Sequence, residues 1–264
     1  MRQIKLFLLK YAAYFLRLTT FKYNAKNYSD FFISNYPKSE IENPLQAKKI
    51  VYCFWTGDNQ IPENRQRSLN KLKNSLGVEL CLVKKNDLDK YILKEHPLHP
   101  AYDFLSLNHR SDYLRCYFMH FWGGGYVDIK ENLHSWENVF DKLNGTNKKW
   151  LAGYPEIAPS VVPILKGKIG KDIKKNYFKL IGNGCFIVKP QTPFTNEWYI
   201  QVNKLLDDNY EALKNNPMNE RGSKVGYPLK WAEVQAEIFH PLVLKYCDKV
   251  MYDKSLLLSF KNYK

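Results

Sequence analysis

Cysteine is scarce in this chain of 264 residues. The five thiols, Cys53, Cys81, Cys116, Cys185 and Cys247, are odd in number and isolated, and no pair has zinc-ligand or redox spacing. That excludes a disulfide scaffold and points to a reducing compartment, so cytoplasm is the expected location. Histidine forms no ligand pattern either, and His109 and His120 read as structural or exposed. Long apolar runs are missing: none reaches the ~20 residues that a bilayer span requires. There are no internal repeats and no low-complexity tracts. Acidic residues are outnumbered, 26 Asp and Glu against 40 Lys and Arg, for a net charge of +14. The excess favours an anionic partner: nucleic acid, an acidic membrane surface or a phosphorylated small molecule. The lysines are scattered, with no dense basic stripe and no recognisable nucleic-acid module, so nucleic acid is not expected.

Apolar and aromatic residues are plentiful, with 19 Tyr, 15 Phe and six Trp, enough for a substantial core. Ile4, Phe7, Leu8, Tyr11, Phe15 and Leu18 share one face of a helix predicted over residues 1–23, and Arg2, Lys5, Lys10 and Arg17 lie mostly away from it. Such a basic amphipathic helix suits an anionic leaflet, and packing on the domain or on a second copy is the alternative. Lys10 interrupts the apolar part, so a signal peptide is not expected. Residues 24–47, polar and containing Pro37 and Pro44, read as a linker to one domain over 48–264.

Within that domain the run Lys49–Trp55 reads as a buried strand ended by Thr56-Gly57-Asp58-Asn59. Pro62 opens a helix through about Asn74, Val78–Val83 is a second strand and Asn86–Leu93 a second helix. This β-α-β-α order implies a parallel sheet and an α/β fold. A helix is predicted over Arg110–Trp122 with Gly123 as its stop, then a strand over Gly125–Ile129. Further strands are expected at Trp150–Tyr154 and Gly184–Val188, with a long helix over Phe194–Leu213. Residues 214–230 read as a mobile loop, Trp231–Phe239 as a helix ended by His240-Pro241, and Leu256–Phe260 as a late strand.

The helix before Gly123 carries the chemistry. Asp112 and Arg115 are three apart and share a face, while Leu114, Cys116, Tyr117, Phe118, Met119, Phe121 and Trp122 make the helix largely apolar. A buried acid and base need partners, and a hydroxyl-rich, phosphate-bearing ligand supplies them. Three consecutive glycines are costly unless the backbone needs close approach or positive φ. Beyond them Tyr126 and Asp128 face one side of the strand and Val127 the other, with Asp128 at the carboxyl end, where open parallel sheets place ligands.

Ser111-Asp112, Leu114-Arg115 and Gly124-Gly125-Tyr126-Val127-Asp128 resemble the sugar-binding region, with its Asp-x-Asp motif, of retaining GT-A glycosyltransferases. More narrowly they resemble glycosyltransferase family 32 and its bacterial capsular-polysaccharide and lipopolysaccharide relatives. The glucosylating domains of large clostridial toxins look like distant cousins. Lys49 to Gly57 resembles the first strand of these enzymes. The resemblance spans roughly residues 48–245. It implies a Rossmann-like, mostly parallel sheet flanked by helices. By it, Trp55 stacks on the nucleotide base, Asp112 and Arg115 hold the donor sugar's hydroxyls, and Asp128 is the first acid of the motif, touching ribose, sugar or the metal shell. Asp128 and Asp112 are thus the catalytic candidates, and Tyr126 joins the donor-binding set. Asn183 sits on a strand similar to the one that brings a polar residue near the donor sugar. Trp231 and Glu233 sit in a segment that resembles the loop closing over the diphosphate.

Lys130 departs from the pattern, because the second acid of the family binds Mn²⁺ or Mg²⁺ and an ammonium cannot ligate a metal. Three readings stay open. Lys130 replaces the ion as a point charge on the diphosphate; the metal binds through Asp128 and another acid, Glu131 or Glu233; or the protein is a non-catalytic sugar-nucleotide-binding or scaffold subunit. The resemblance otherwise implies sugar transfer with retention from a nucleotide-sugar, a UDP-sugar, to a lipid-linked glycan of capsule or O-antigen synthesis. It implies a protein peripheral on the inner face of the cytoplasmic membrane. No residue stands out as a general base.

Overall fold

The computed structural model describes residues 21–222 and 224–259. The helix expected over 1–23 falls almost wholly outside them. Six strands form one sheet: β1 (Ile50–Trp55), β2 (Glu79–Lys84), β3 (Gly124–Val127), β4 (Leu151–Pro155), β5 (Ile181–Val188) and β6 (Val250–Tyr252), in the order β2-β1-β3-β5-β4-β6. β1 runs parallel to β2 and β3, and β4 runs parallel to β6. β5 lies antiparallel between β3 and β4. The expected α/β architecture, a mostly parallel sheet flanked by helices, is the one observed. The carboxyl ends of β1, β2, β3, β4 and β6 therefore share one edge of the sheet, and the reversed β5 brings its first residues to the same edge.

Seven α-helices are described: α1 (Glu63–Ser75), α2 (Leu107–Phe121), α3 (Glu137–Asn144), α4 (Gly167–Lys175), α5 (Pro193–Asp208), α6 (Tyr210–Asn215) and α7 (Ala236–Lys245). Strand alternation divides the core in two. Tyr52, Phe54, Tyr126 and Phe186 face α2, α5 and α7, meeting Phe118, Trp198 and Phe239. Val51, Cys53, Val127 and Cys185 face the other way, toward Leu69 and Leu72 of α1 and Phe140 of α3. Tyr126 and Val127 on opposite faces is the arrangement expected from their adjacency.

Several expectations are corrected. Residues 85–90 form a 3-10 turn instead of a helix reaching Leu93. The long helix breaks at Asn209, giving α5 and α6. The helix expected at Trp231 begins only at Ala236, and it runs through Pro241 instead of stopping there. Proline inside a helix costs about 3 kcal/mol, but Phe239, Leu242, Val243 and Leu244 are all buried here, and their burial outweighs it. No strand occupies 256–259. The late strand is β6, and Lys254–Leu256 is a 3-10 turn. Residues 24–47 hold two 3-10 turns whose Tyr28 and Ile33 pack into the main core, and the buried Lys245 ammonium donates to the carbonyls of Ile33 and Tyr36.

The descent from α2 into β3 positions everything that follows. Ser106 caps α2 by accepting from the His109 amide. Gly123 stops it at φ +63, where a Cβ would lie 2.4 Å from Pro190 Cδ. Gly124 follows at φ +99, against the carbonyl of Ile50. Both positions require glycine, by conformation and by space.

Candidate functional site

At the shared edge, just past the end of β3, a polar cluster is built from three short segments. Arg115 on α2 lies 2.9 Å from Asp112 Oδ1, one turn back, and 3.6 Å from Asp128 Oδ1. Its guanidinium lies over the Tyr126 ring, 4.3 Å from the centroid, and its Nη1 donates to the Asn183 carbonyl at 3.0 Å. Asp128 in turn accepts from the Tyr126 hydroxyl at 2.7 Å and from the Lys130 ammonium at 2.8 Å. Its amide donates to the Gly184 carbonyl, so the β3–β5 ladder fixes its position. The structure thus brings together Asp112, Arg115, Tyr126, Asp128, Lys130 and Asn183, all named from the sequence.

The two carboxylates sit in different environments. Burial pushes the Asp112 carboxyl up, and Arg115 offsets this only in part. Burial also acts on Asp128, but Arg115, Lys130 and the hydrogen bonds from Lys130 and Tyr126 outweigh it and hold that carboxyl below its usual range. Asp128 is therefore the firmly ionised acid and Asp112 the one that protonates more readily. Two buried polar atoms of the cluster have no hydrogen-bond partner among the described residues: Arg115 Nε and Asn183 Oδ1. Orphaned groups beside a buried cation are what a hydroxyl-bearing ligand would satisfy.

Among the described residues no hydrogen bond or ion pair joins the other sequence candidates to this cluster. Trp55 ends β1 and is half-buried, with its Nε1 donating to the Asn59 carbonyl at 2.8 Å. It lines a groove of about 430 Å³ with Gly57, Asn59, Ile61, Lys84 and Lys85, where β1 and β2 end. Trp231 is exposed. Glu233 accepts from the Lys230 amide at 2.8 Å, and among the described residues no hydrogen bond or ion pair joins it to Asp128. Glu131 pairs with Lys71 at 2.7 Å.

A divalent ion fits these residues poorly. Both Asp128 oxygens are engaged, one by an ammonium, and among the described residues no three His, Cys, Asp or Glu side chains group as a metal-binding set. An ion on Asp128 would sit against Lys130, and the second acid of the cluster, Asp112, is already paired with Arg115.

Sequence reasoning missed two features of this edge. The first is a clamp. His109, buried in the first turn of α2, donates from Nε2 to the Lys230 carbonyl at 3.1 Å, so its Nδ1 accepts from the Tyr227 hydroxyl at 2.8 Å. Tyr227 also accepts from the Ser106 amide, and Arg110 donates to Asn219. The segment 214–230, expected to be a mobile loop, is thus tied to the start of α2, with Met218, Tyr227 and Leu229 buried. The second is Glu156, one residue past β4, which lies 3.6 Å from His240. Burial raises the Glu156 carboxyl to about 7. Burial also lowers His240 to about 4, while its Nε2 donates to the Ile181 carbonyl. Between those values both groups are neutral, so the contact is not an ion pair there. No local pattern marks either feature; each joins residues far apart in the chain.

Residues 2–129 match the family model of capsular polysaccharide synthesis protein. No curated protein matches the chain by sequence. Among solved structures the fold is similar to the PaToxG glycosyltransferase, at 15% identity and a TM-score of 0.43, over 76% of this chain and 70% of that one. It is also similar to mouse xyloside xylosyltransferase 1 in its apo form, at 9% identity and a TM-score of 0.42, over 79% and 85% respectively.

Proposed function

We propose that this chain is a glycosyltransferase of capsular polysaccharide or O-antigen synthesis, moving a sugar from a UDP-sugar to a hydroxyl of a lipid-linked glycan. The observation that carries the reading is the Asp112–Arg115–Asp128 cluster at the strand-end edge, with Arg115 Nε and Asn183 Oδ1 buried and, among the described residues, unpartnered. The match of residues 2–129 to the capsular polysaccharide synthesis family supports it.

In this reading Trp55 offers its indole face to the base, and the groove it lines receives the nucleoside. Asp128, held ionised, accepts from donor hydroxyls. Asp112, raised by burial, accepts or donates according to its proton. Arg115 fixes both carboxylates and turns Nε toward the sugar. Lys130 supplies the positive charge that the leaving diphosphate requires, so charge stabilisation comes from the chain itself. Asp128 is too weak a base to deprotonate the acceptor. The leaving phosphate takes that proton as the acceptor attacks from the same face, which retains the anomeric configuration.

The test is UDP release from a set of UDP-sugars, with and without Mn²⁺. Slow donor hydrolysis is expected from the wild type, and a loss of about 100-fold or more in Asp128→Asn with an unchanged fold. Trp55→Ala should weaken UDP binding by roughly 1–3 kcal/mol, the usual worth of one base stack. Absence of release from every donor, metal or not, refutes the transferase and favours a non-catalytic sugar-nucleotide-binding or scaffold subunit. The ammonium already lying on Asp128 is the observation on that side.

A further inference from the structure

The segment that follows Glu156 is unusual for a surface loop. Between β4 and α4 the chain runs Ile157-Ala158-Pro159-Ser160-Val161-Val162-Pro163-Ile164-Leu165-Lys166. Val162 and Pro163 turn inward and are buried, which anchors the loop to the domain. Ile157, Val161 and Ile164 point outward, with 72%, 48% and 83% of their surfaces exposed. Three large aliphatic side chains exposed within eight residues are not the scattered single apolar residues of an ordinary surface.

A basic field adjoins them. Lys166, Lys168, Lys171, Lys174 and Lys175 are exposed along the start and outer side of α4, while Ile169 and Ile173 of the same helix are buried in the core. Asp172 is the only acid from 157 to 179, and it already accepts from the Tyr28 hydroxyl and pairs with Lys168.

We infer that the 157–164 loop and the lysine face of α4 form a membrane-docking surface that seats the folded domain on a bilayer bearing anionic headgroups. The aliphatic tips enter the headgroup–acyl boundary and the lysines meet the lipid phosphates. A bilayer fits better than the other macromolecules. A protein interface would centre on aromatic or arginine anchors in a pocket, and this loop projects and carries neither. A nucleic acid would leave the aliphatic tips without a partner. The loop leaves β4 at the same sheet edge as Asp128, so docking here would place that edge beside the lipid. The surface lies within the described residues, over 157–175.

The experiment uses the full chain with vesicles of phosphatidylcholine alone and vesicles that also contain phosphatidylglycerol. Binding is read by flotation, and the loop itself by hydrogen exchange. Binding to the anionic vesicles, with exchange slowed over 157–175, is expected. The variant Ile157→Ser/Ile164→Ser should bind about tenfold more weakly, as expected when two apolar tips stay in water. Lys171→Glu/Lys175→Glu should bind poorly whatever the phosphatidylglycerol content. All four sites are exposed, and an unchanged thermal midpoint verifies the fold of each variant. Three results would overturn the inference: no vesicle binding; vesicle binding with 157–175 unprotected, as when residues 1–23 alone attach the chain; or equal protection by a soluble polyanion such as duplex DNA. None of these readouts requires a sugar donor, so failure here leaves the transferase reading standing.

Discussion

The Lys130 ammonium lies 2.8 Å from Asp128 Oδ2, two residues back along the chain, and it engages the acid at the head of the cluster. A hydrogen bond to a charged group contributes roughly 1.5–3 kcal/mol. Lys130→Met should therefore weaken UDP binding by about 10- to 100-fold, measured by titration calorimetry, and added Mn²⁺ should not restore it. Recovery of full affinity with Mn²⁺ would mean that a metal does this work and that Lys130 only neutralises Asp128.

Glu156 and His240 make opposite contributions to stability. The folded Glu156 carboxyl titrates at about 7, above its unfolded range. The native state therefore holds the extra proton, and stability falls as pH rises from about 4.3 toward that value. His240 titrates at about 4 in the fold. There the unfolded state holds the extra proton, so stability rises as pH climbs from about 4 to its unfolded value near 6.5. The two slopes oppose each other over most of this interval. Glu156→Gln should leave a profile that rises through the interval, and His240→Gln one that falls, measured as urea midpoints at successive pH values. Identical profiles in both variants would show that neither burial matters.

Tyr227 is the hinge pin of the segment tied to α2. Its hydroxyl accepts from the Ser106 amide and donates to His109. Tyr227→Phe keeps the ring and removes both bonds, at a cost of about 1–3 kcal/mol for the buried groups left without partners. Limited proteolysis should then cut within 216–231 several-fold faster, while α5 and the sheet stay resistant. An unchanged cutting rate would place the restraint elsewhere, in Arg110 and Asn219.

The parts of this molecule that read clearly from the sequence are those that local chemistry determines. β1 is a run of apolar residues closed by Thr56-Gly57, α2 is apolar from Tyr113 to Phe121 apart from Arg115 and His120, and Gly123 occupies a position that only glycine fits. Period and spacing therefore put Asp112 with Arg115 on one helix face and Asp128 at a strand's carboxyl end, and the family resemblance joined them in one site. Strand direction is different. Nothing in Ile181–Val188 announces that it runs opposite to β3, because that choice lies in its pairing with Gly124–Val127 and Leu151–Pro155. Pro241 misled for a related reason: helix propensity is a local preference, and burial of α7 overrides it. Glu156, His240 and the His109–Tyr227 bond belong to the same class, being contacts between segments that only the folded chain makes adjacent.

The reversed strand also bears on how the chain can be divided. Residues 2–129 carry the family match, yet Lys130 and Asn183 lie beyond them, and β3 has β5 as its second neighbour. A fragment ending at residue 129 would leave the four buried residues of β3 as a bare edge, open to pairing with another chain, and Arg115 without its carbonyl anchor. Such a fragment should aggregate rather than fold as a smaller binding module. Recombination between relatives would accordingly preserve the site only at junctions that keep β3 and β5 of common parentage.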